Sequence, residues 1–304
     1  MATVLEVTGL VKCYGDLRAV DGVTFTVDEG EIFGMVGPNG AGKTTTIECL
    51  EGLRQLDDGR VAIYGIDPHK EYRAVMERIG IQLQESDLPS RIRVREALKL
   101  FASFYAESVD PDKLLKRMGL QEKGRSPVSK LSGGQKQRLF IALALINRPE
   151  VVFLDELTTG LDPQARRSMW DLVREIRDQG STVFLTTHYM EEAERLCDRV
   201  AIMDHGRLVA LDSPQALIRD LGIERRLSFH LLDGFMELGL ETLPGVELVE
   251  RRQDRVIVSG SGERFISRVV IALEDLNIDF DDLRTEQANL EDVFLSLTGR
   301  AVRE

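Results

Sequence analysis

Cysteine is scarce and unpatterned in this chain. Cys13, Cys49 and Cys197 are its only three, an odd count with no CxxC spacing. That argues against a disulfide framework or a zinc site and suits a reducing cytosol. Long apolar runs are absent as well. The longest candidate, Leu139 to Ile146, is closed off by Arg138 and by Asn147-Arg148-Pro149. It falls far short of the roughly 18 residues of a membrane span and reads as a buried helix. The opening MATVLEVTGLVK lacks the basic-then-apolar order of a secretory signal. Work at a membrane is therefore expected to need another polypeptide as the anchor. Positive charge is not in excess either: the net charge is −12, which argues against a general nucleic-acid binder and serves solubility. No low-complexity tract occurs, and 43% hydrophobic with 30% charged residues is the composition of a folded chain. A length of 304 residues suits one large domain plus a small one, or two of medium size.

The first 220 or so residues alternate short β-rich runs with amphipathic helical stretches, which predicts an α/β fold with a mainly parallel sheet covered by helices. Strands are predicted over Leu5–Thr8, Val23–Val27, Ile32–Val36, Ile79–Leu83, Val151–Asp155 and Thr182–Thr186. Asp204-His205-Gly206 between Val200–Met203 and Leu208–Leu211 has the turn chemistry of a hairpin. Ser213-Pro214 then looks like a helix start, with Pro at the first helical position. Beyond about Leu221 the character changes. Strands over Arg226–Leu231, Val246–Glu250, Arg255–Ser259 and Phe280–Glu286 and helices over Gly234–Gly239 and Phe265–Leu276 follow the ferredoxin-like order β-α-β-β-α-β. A last helix is expected over about Leu290–Leu297, with Leu290, Val293, Phe294 and Leu297 on one face. The expected division is a domain of residues 1–221, with a helical subdomain over about 85–147, and a small α+β domain of residues 222–304.

Gly37-Pro38-Asn39-Gly40-Ala41-Gly42-Lys43-Thr44 matches GxxxxGK[ST] at every position. It follows the apolar run Ile32–Val36 and opens a helix near Gly42. Glycines let the backbone turn so that several N–H groups face a phosphate, and the helix N-terminus adds its positive dipole end. Lys43 is expected to reach the β- and γ-phosphates of a nucleotide, and the Thr44 hydroxyl to ligate Mg2+; Thr45 joins the same nucleotide set. Val151-Val152-Phe153-Leu154 leads into Asp155-Glu156, two carboxylates at the C-terminal edge of a central strand, where open α/β sheets bind ligands. Asp155 is the expected metal partner, mostly through water, and Glu156 the group that orients the attacking water.

These two motifs specify only a P-loop NTPase. Leu131-Ser132-Gly133-Gly134-Gln135, ahead of an apolar helical stretch, is a second helix-N-terminal anion site. One ATP does not need two such sites from one chain, so the second is expected to face nucleotide on another copy. Here the chain resembles the ATP-binding-cassette (ABC) ATPases, whose signature is LSGGQ. The resemblance covers about residues 3 to 220. It implies two subunits joined head to tail, as a homodimer, with Ser132, Gly134 and Gln135 contacting ATP held by the opposite subunit's Lys43 and Thr44. It also implies that Tyr14 stacks on adenine, that Gln84 touches Mg2+ and water, that Asp162 lies at the dimer interface, and that His188 is the switch histidine facing the γ-phosphate. Leu157 departs from the family, which usually has Pro after the glutamate, and so loosens the loop backbone there.

A narrower resemblance rests on Thr187-His188-Tyr189-Met190-Glu191-Glu192-Ala193-Glu194 and on Asn289-Leu290-Glu291-Asp292-Val293-Phe294-Leu295. Both look like the ATPase subunits of ABC-2-type exporters such as the daunorubicin-resistance type. This implies a separate transmembrane permease, contacted near Gln84 and the segment Glu85–Val94, and a place on the inner face of the cell membrane. An importer ATPase shares all the nucleotide motifs and stays open, as does a non-transport ABC protein, although one cassette without a heptad array fits the latter less well.

Overall fold

A computed structural model describes residues 2–82, 88–221, 225–231, 239–252, 254–262, 264–276 and 278–299. The chain divides into two compact units, Met1–Ser213 and Pro214–Ala301.

The first unit runs β1 (Thr3–Tyr14), β2 (Leu17–Asp28), β3 (Ile32–Val36), α1 (Lys43–Leu50), β4 (Asp58–Ile63), α2 (Tyr72–Met76) and β5 (Ile79–Gln82). Then come α3 (Val94–Ala102), α4 (Pro111–Arg117), α5 (Gly133–Ala144), β6 (Val151–Asp155), α6 (Pro163–Asp178), β7 (Thr182–Thr187), α7 (Met190–Leu196), β8 (Arg199–Asp204) and β9 (Arg207–Asp212). A six-stranded sheet has the order β5-β6-β7-β3-β8-β9. Its strands pair in parallel except for the β8–β9 hairpin, where His205 and Gly206 both take positive φ. β3 and β6 are buried at every position, which is why they read as unbroken apolar runs rather than alternating ones.

The sequence pattern did not separate out a second sheet. β2, β1 and β4 form a three-stranded antiparallel sheet. β4 was invisible because only Val61–Ile63 of it is buried, while Asp58-Gly59-Arg60 is polar and exposed. One core fills the space between the sheets. Phe25 of β2 stacks on Phe33 of β3 at 5.1 Å between ring centroids, and Phe33 on Phe184 of β7 at 5.4 Å. That aromatic stack holds β3, and so the loop leaving it, at a fixed height in the unit. Helices α3, α4 and α5 lie between β5 and β6, with residues 83–87 outside the described part.

The second unit comprises α8 (Pro214–Asp220), β10 (Arg225–Leu231), β11 (Val246–Arg252), β12 (Arg255–Gly260), α9 (Phe265–Asp275), β13 (Phe280–Glu286) and α10 (Leu290–Thr298). The division falls at Ser213, ahead of the expected Leu221, because α8 buries Pro214 and Leu217 and packs on α10. Its antiparallel sheet has the order β11-β12-β10-β13. The helix expected over Gly234–Gly239 lies almost wholly outside the described residues.

The closing Asn289–Leu295 motif has a physical reading of its own. Asn289 caps α10, accepting from Asp292 N–H at 3.1 Å, while Asp292 returns the bond to Asn289 N–H at 3.0 Å. Asp292 also pairs with Arg226 of β10, and both side chains are largely buried. Asp292→Ala removes half of the capping box and strands the Arg226 charge. It is expected to cost the second unit about 2–4 kcal/mol, read as earlier urea unfolding and faster amide exchange in α10.

Candidate functional site

The loop Gly37–Gly42 joins β3 to α1 and packs so closely at its two end glycines that side chains are excluded there. A Cβ on Gly37 would lie 2.3 Å from Met203 O, and one on Gly42 would lie 2.3 Å from Ala19 O. Gly42 also has φ +102°, in the region that favours glycine. Ala41 is buried, its N–H donating to Pro38 O at 3.1 Å and its carbonyl accepting from Gly206 N–H at 3.0 Å. The loop is thus braced from β2 and from the β8–β9 hairpin, and its free N–H groups are held ready for an anion.

A cleft of about 390 Å3 opens here, lined by Tyr14, Leu17, Ala19, Asn39, Gly40, Gly42, Lys43, Thr44, Thr45 and Glu156. It brings the adenine candidate, the phosphate loop and the candidate catalytic carboxylate into one space. Tyr14 ends β1 and is 41% exposed. Lys12 Nζ and Arg54 Cζ lie 5.8 and 5.3 Å from its ring centroid, so the base-stacking candidate stands among cations suited to a nucleotide.

Lys43 is buried. Its ammonium donates to Gly37 O at 2.8 Å and Pro38 O at 3.2 Å, and lies 3.7 Å from Glu156 Oε1. Burial lowers its pKa, opposed by the negative charges of Glu156 and Asp155. Asp155 closes β6 with 3% exposure; burial raises its pKa, while hydrogen bonds from Thr186 and Thr44 pull it down. The Thr44 hydroxyl and the Asp155 carboxylate are therefore paired directly, a hard oxygen set that suits Mg2+ with waters and phosphate filling the remaining positions.

Glu156 has φ +48°, a strained conformation for a residue with a side chain. Two bonds at 3.1 Å hold it there, from its N–H to Thr186 O and to Thr186 Oγ1. Its Oε1 lies 3.6 Å from His188 Nδ1, a buried nitrogen without a hydrogen-bond partner. An orphaned buried donor or acceptor is costly unless a ligand or water completes it. A cation, a carboxylate and an unpartnered imidazole nitrogen thus meet around Glu156.

The signature residues lie elsewhere. Ser132 is the N-cap of α5: its Oγ accepts from Gln135 N–H at 3.3 Å, and Gln135 Oε1 accepts from Ser132 N–H at 3.1 Å. A Cβ on Gly134 would lie 3.8 Å from Ala165 Cβ and 4.0 Å from Leu161 Cδ2, so the signature abuts the start of α6. None of Leu131–Gln135 lines the cleft. Asp162 caps α6, accepting from Ala165 N–H at 2.8 Å. Gln84 lies outside the described residues. Thr186 escaped the sequence reading. Its only signal is a polar residue at the C-terminal end of an apolar strand, in register with Asp155.

Residues 20–159 match the family described as "ABC transporter". The daunorubicin resistance ATP-binding protein DrrA3 of Streptomyces coeruleorubidus is 38% identical over 99% of this chain and 98% of its own. The chain belongs to the ABC transporter ATP-binding family. The Nod factor export ATP-binding protein I of Mesorhizobium japonicum is also 38% identical to this ABC protein, over 99% of this chain and 88% of its own. Among solved structures, an ATP-binding subunit of an ABC transporter has a TM-score of 0.66 at 29% identity, covering 72% of this chain and 93% of that one. The cbiO1 subunit from Clostridium perfringens, part of the cbiONQ transporter complex, has a TM-score of 0.63 at 28% identity, over 73% and 95%. The ABC cassette here is thus an ATPase, and ATP is its substrate.

One buried group near the cleft has no evident task. Glu51, at the end of α1, is fully buried, and neither carboxylate oxygen has a hydrogen-bond partner. Burial holds its pKa well above the ordinary 4.5, with the charges of Asp155 and Glu48 adding to the effect. Below about pH 4.5 it is protonated both folded and unfolded and adds no slope to stability. Above that, the unfolded chain releases a proton that the folded chain keeps, so stability falls as pH rises towards the folded pKa. Glu51→Gln, neutral throughout, is expected to flatten the loss of melting temperature as pH rises above about 4.5, followed by thermal unfolding across a pH series.

Proposed function

We propose that this chain is the ATP-hydrolysing subunit of an ABC-2-type exporter, working as a head-to-tail homodimer on a separate transmembrane permease at the inner face of the cell membrane. The observation that carries the shared-site reading is the separation of Leu131–Gln135 from the cleft around Lys43. Each chain has a phosphate loop with carboxylates and, on another face, a preformed helix start with free N–H groups. Two copies facing one another complete two sites.

In that assembly Tyr14 stacks on adenine and the N–H groups of Gly37 to Thr44 cradle the phosphates, with Thr45 behind them. Lys43 leaves its carbonyl partners for the β- and γ-phosphates. Thr44, Asp155 and Gln84 are the groups to hold Mg2+, which neutralises phosphate charge and aligns the terminal group. Glu156 accepts a hydrogen bond from the attacking water and orients it in line with the γ-phosphate. His188 bonds the γ-phosphate oxygen and reports its presence to α7. Ser132, Gly134 and Gln135 of the second copy cover the γ-phosphate, and Asp162 lies across the seam between copies.

Export is supported by the near full-length likeness to relatives named for daunorubicin resistance and Nod factor export. Exposed Leu100 and Phe104, on and just after α3, offer an apolar surface on the helical subdomain for permease helices. Among the described residues no helix is long and apolar enough to cross a membrane, consistent with a permease carried on another chain. The second unit is proposed to be an accessory module that braces the dimer.

Glu156→Gln should bind ATP, lose at least ~100-fold in turnover and accumulate as a closed dimer on gel filtration. Lys43→Ala and Ser132→Arg chains, each inactive alone, should regain activity when mixed, because the heterodimer keeps one intact site. No recovery on mixing would sink the shared site. A neighbouring reading frame for a six-span permease without a solute-binding protein is expected, and a solute-binding protein there would reverse the direction of transport.

A further inference from the structure

Glu192, in the first turn of α7, is a carboxylate buried to 2% exposure that does not line the cleft. A buried carboxylate is costly unless hydrogen bonds replace its water. Three side chains supply them. The Trp170 indole N–H donates to Oε1 at 2.9 Å, and the Thr158 hydroxyl donates to Oε2 at 3.0 Å. The Thr187 hydroxyl bonds the same carboxylate and also accepts from Tyr189 N–H at 3.0 Å. The Arg166 charge lies near, its guanidinium 4.1 Å above the Tyr189 ring.

The origin of these donors matters more than their number. Thr158 comes two residues after Glu156, in the loop that runs to Asp162. Thr187 ends β7, one residue before His188. Trp170 sits on α6, the helix that Asp162 caps. Each segment carries a residue of the proposed site, and one carboxylate ties all three. The loop needs such a tie: Glu156 is held at φ +48° and Leu157 brings no ring to fix the backbone beside it. Thr159 adds local contacts alone, its hydroxyl 3.4 Å from Glu156 Oε2 and its N–H donating to Glu156 O at 3.2 Å, and neither reaches the His188 segment.

We propose that Glu192 is a positioning residue for ATP hydrolysis. By joining Thr158, Trp170 and Thr187, it makes the Glu156–Asp162 loop and the His188 segment move as one body, so that Glu156 and His188 meet the water and the γ-phosphate together. The inference rests on the catalytic reading of Glu156 and His188 given above. Because Glu192 acts through other residues, it governs the chemical step and leaves nucleotide affinity alone.

Steady-state ATP hydrolysis by the full chain tests it. Thr158→Val keeps the shape of a buried residue and removes only the donor. It should lower kcat about tenfold with the KM for ATP within about twofold, and Thr158→Ser should restore turnover to within about twofold of the parent. Trp170→Phe removes a different donor to the same carboxylate and should shift kcat in the same direction, which covers the case that Thr158→Val folds poorly. Parent-like kcat in both variants, a rise in KM in place of the fall in kcat, or no rescue by Ser would overturn the proposal. Glu156→Gln measured alongside separates the two readings. If it is inactive while Thr158→Val is unaffected, only the positioning role fails. If it is active, the catalytic reading beneath it fails as well.

Discussion

The chemistry of this protein hangs on the pairing of β6 with β7. Their parallel register sets Asp155 beside Thr186, and the Thr186 hydroxyl bonds both the Asp155 carboxylate and the Glu156 N–H. A parallel sheet collects its strand ends at one edge. At this edge a single threonine turns two adjacent carboxylates to different uses. Asp155 is drawn back towards Thr44, and Glu156 is bent through a left-handed conformation towards Lys43 and His188. A one-residue slip between the strands would part Asp155 from Thr186 and turn each side chain of the slipped strand to the opposite face.

The cluster is expensive to assemble. Lys43, Asp155 and Glu156 share a space from which most water is excluded, and Glu51 and Glu192 are buried in the same unit. Lys43 spends its hydrogen bonds on the loop's own carbonyls, and His188 Nδ1 has none. A buried cation facing backbone oxygens and an unpartnered imidazole nitrogen are both better served by phosphate than by what surrounds them here. In the proposed site a triphosphate would supply what these groups lack, which favours a polyanion over water there.

Much of this was legible in the sequence, and the reasons are local. The Gly37–Thr44 loop carries its own chemistry at fixed spacing, and β3 and β6 are apolar from end to end, so their bounds agree with the pattern. β4 was not legible, since half of it is polar and its pairing with β1 depends on residues some 50 positions away. The end of the first unit was misread at α8, whose amphipathic pattern says that it packs but not on what. Thr186 and Glu192 were hidden for a related reason. Each is an ordinary residue whose role arises only when distant strands and helices converge. Asn289–Leu295 shows the converse, a motif read for its resemblance that also has a local cause in the capping box and the Arg226 pair.

The capping box at Ser132 and Gln135 has a consequence for the proposed meeting of two copies. Their side chains are engaged with one another's backbone, and the first turn of α5 is rigid before any nucleotide arrives. A surface that is ordered in advance loses little freedom on docking. In the proposed dimer, closure would therefore cost this surface little ordering. The machine would idle between strokes as a spring-loaded latch does, already shaped to its strike plate and waiting only for the key.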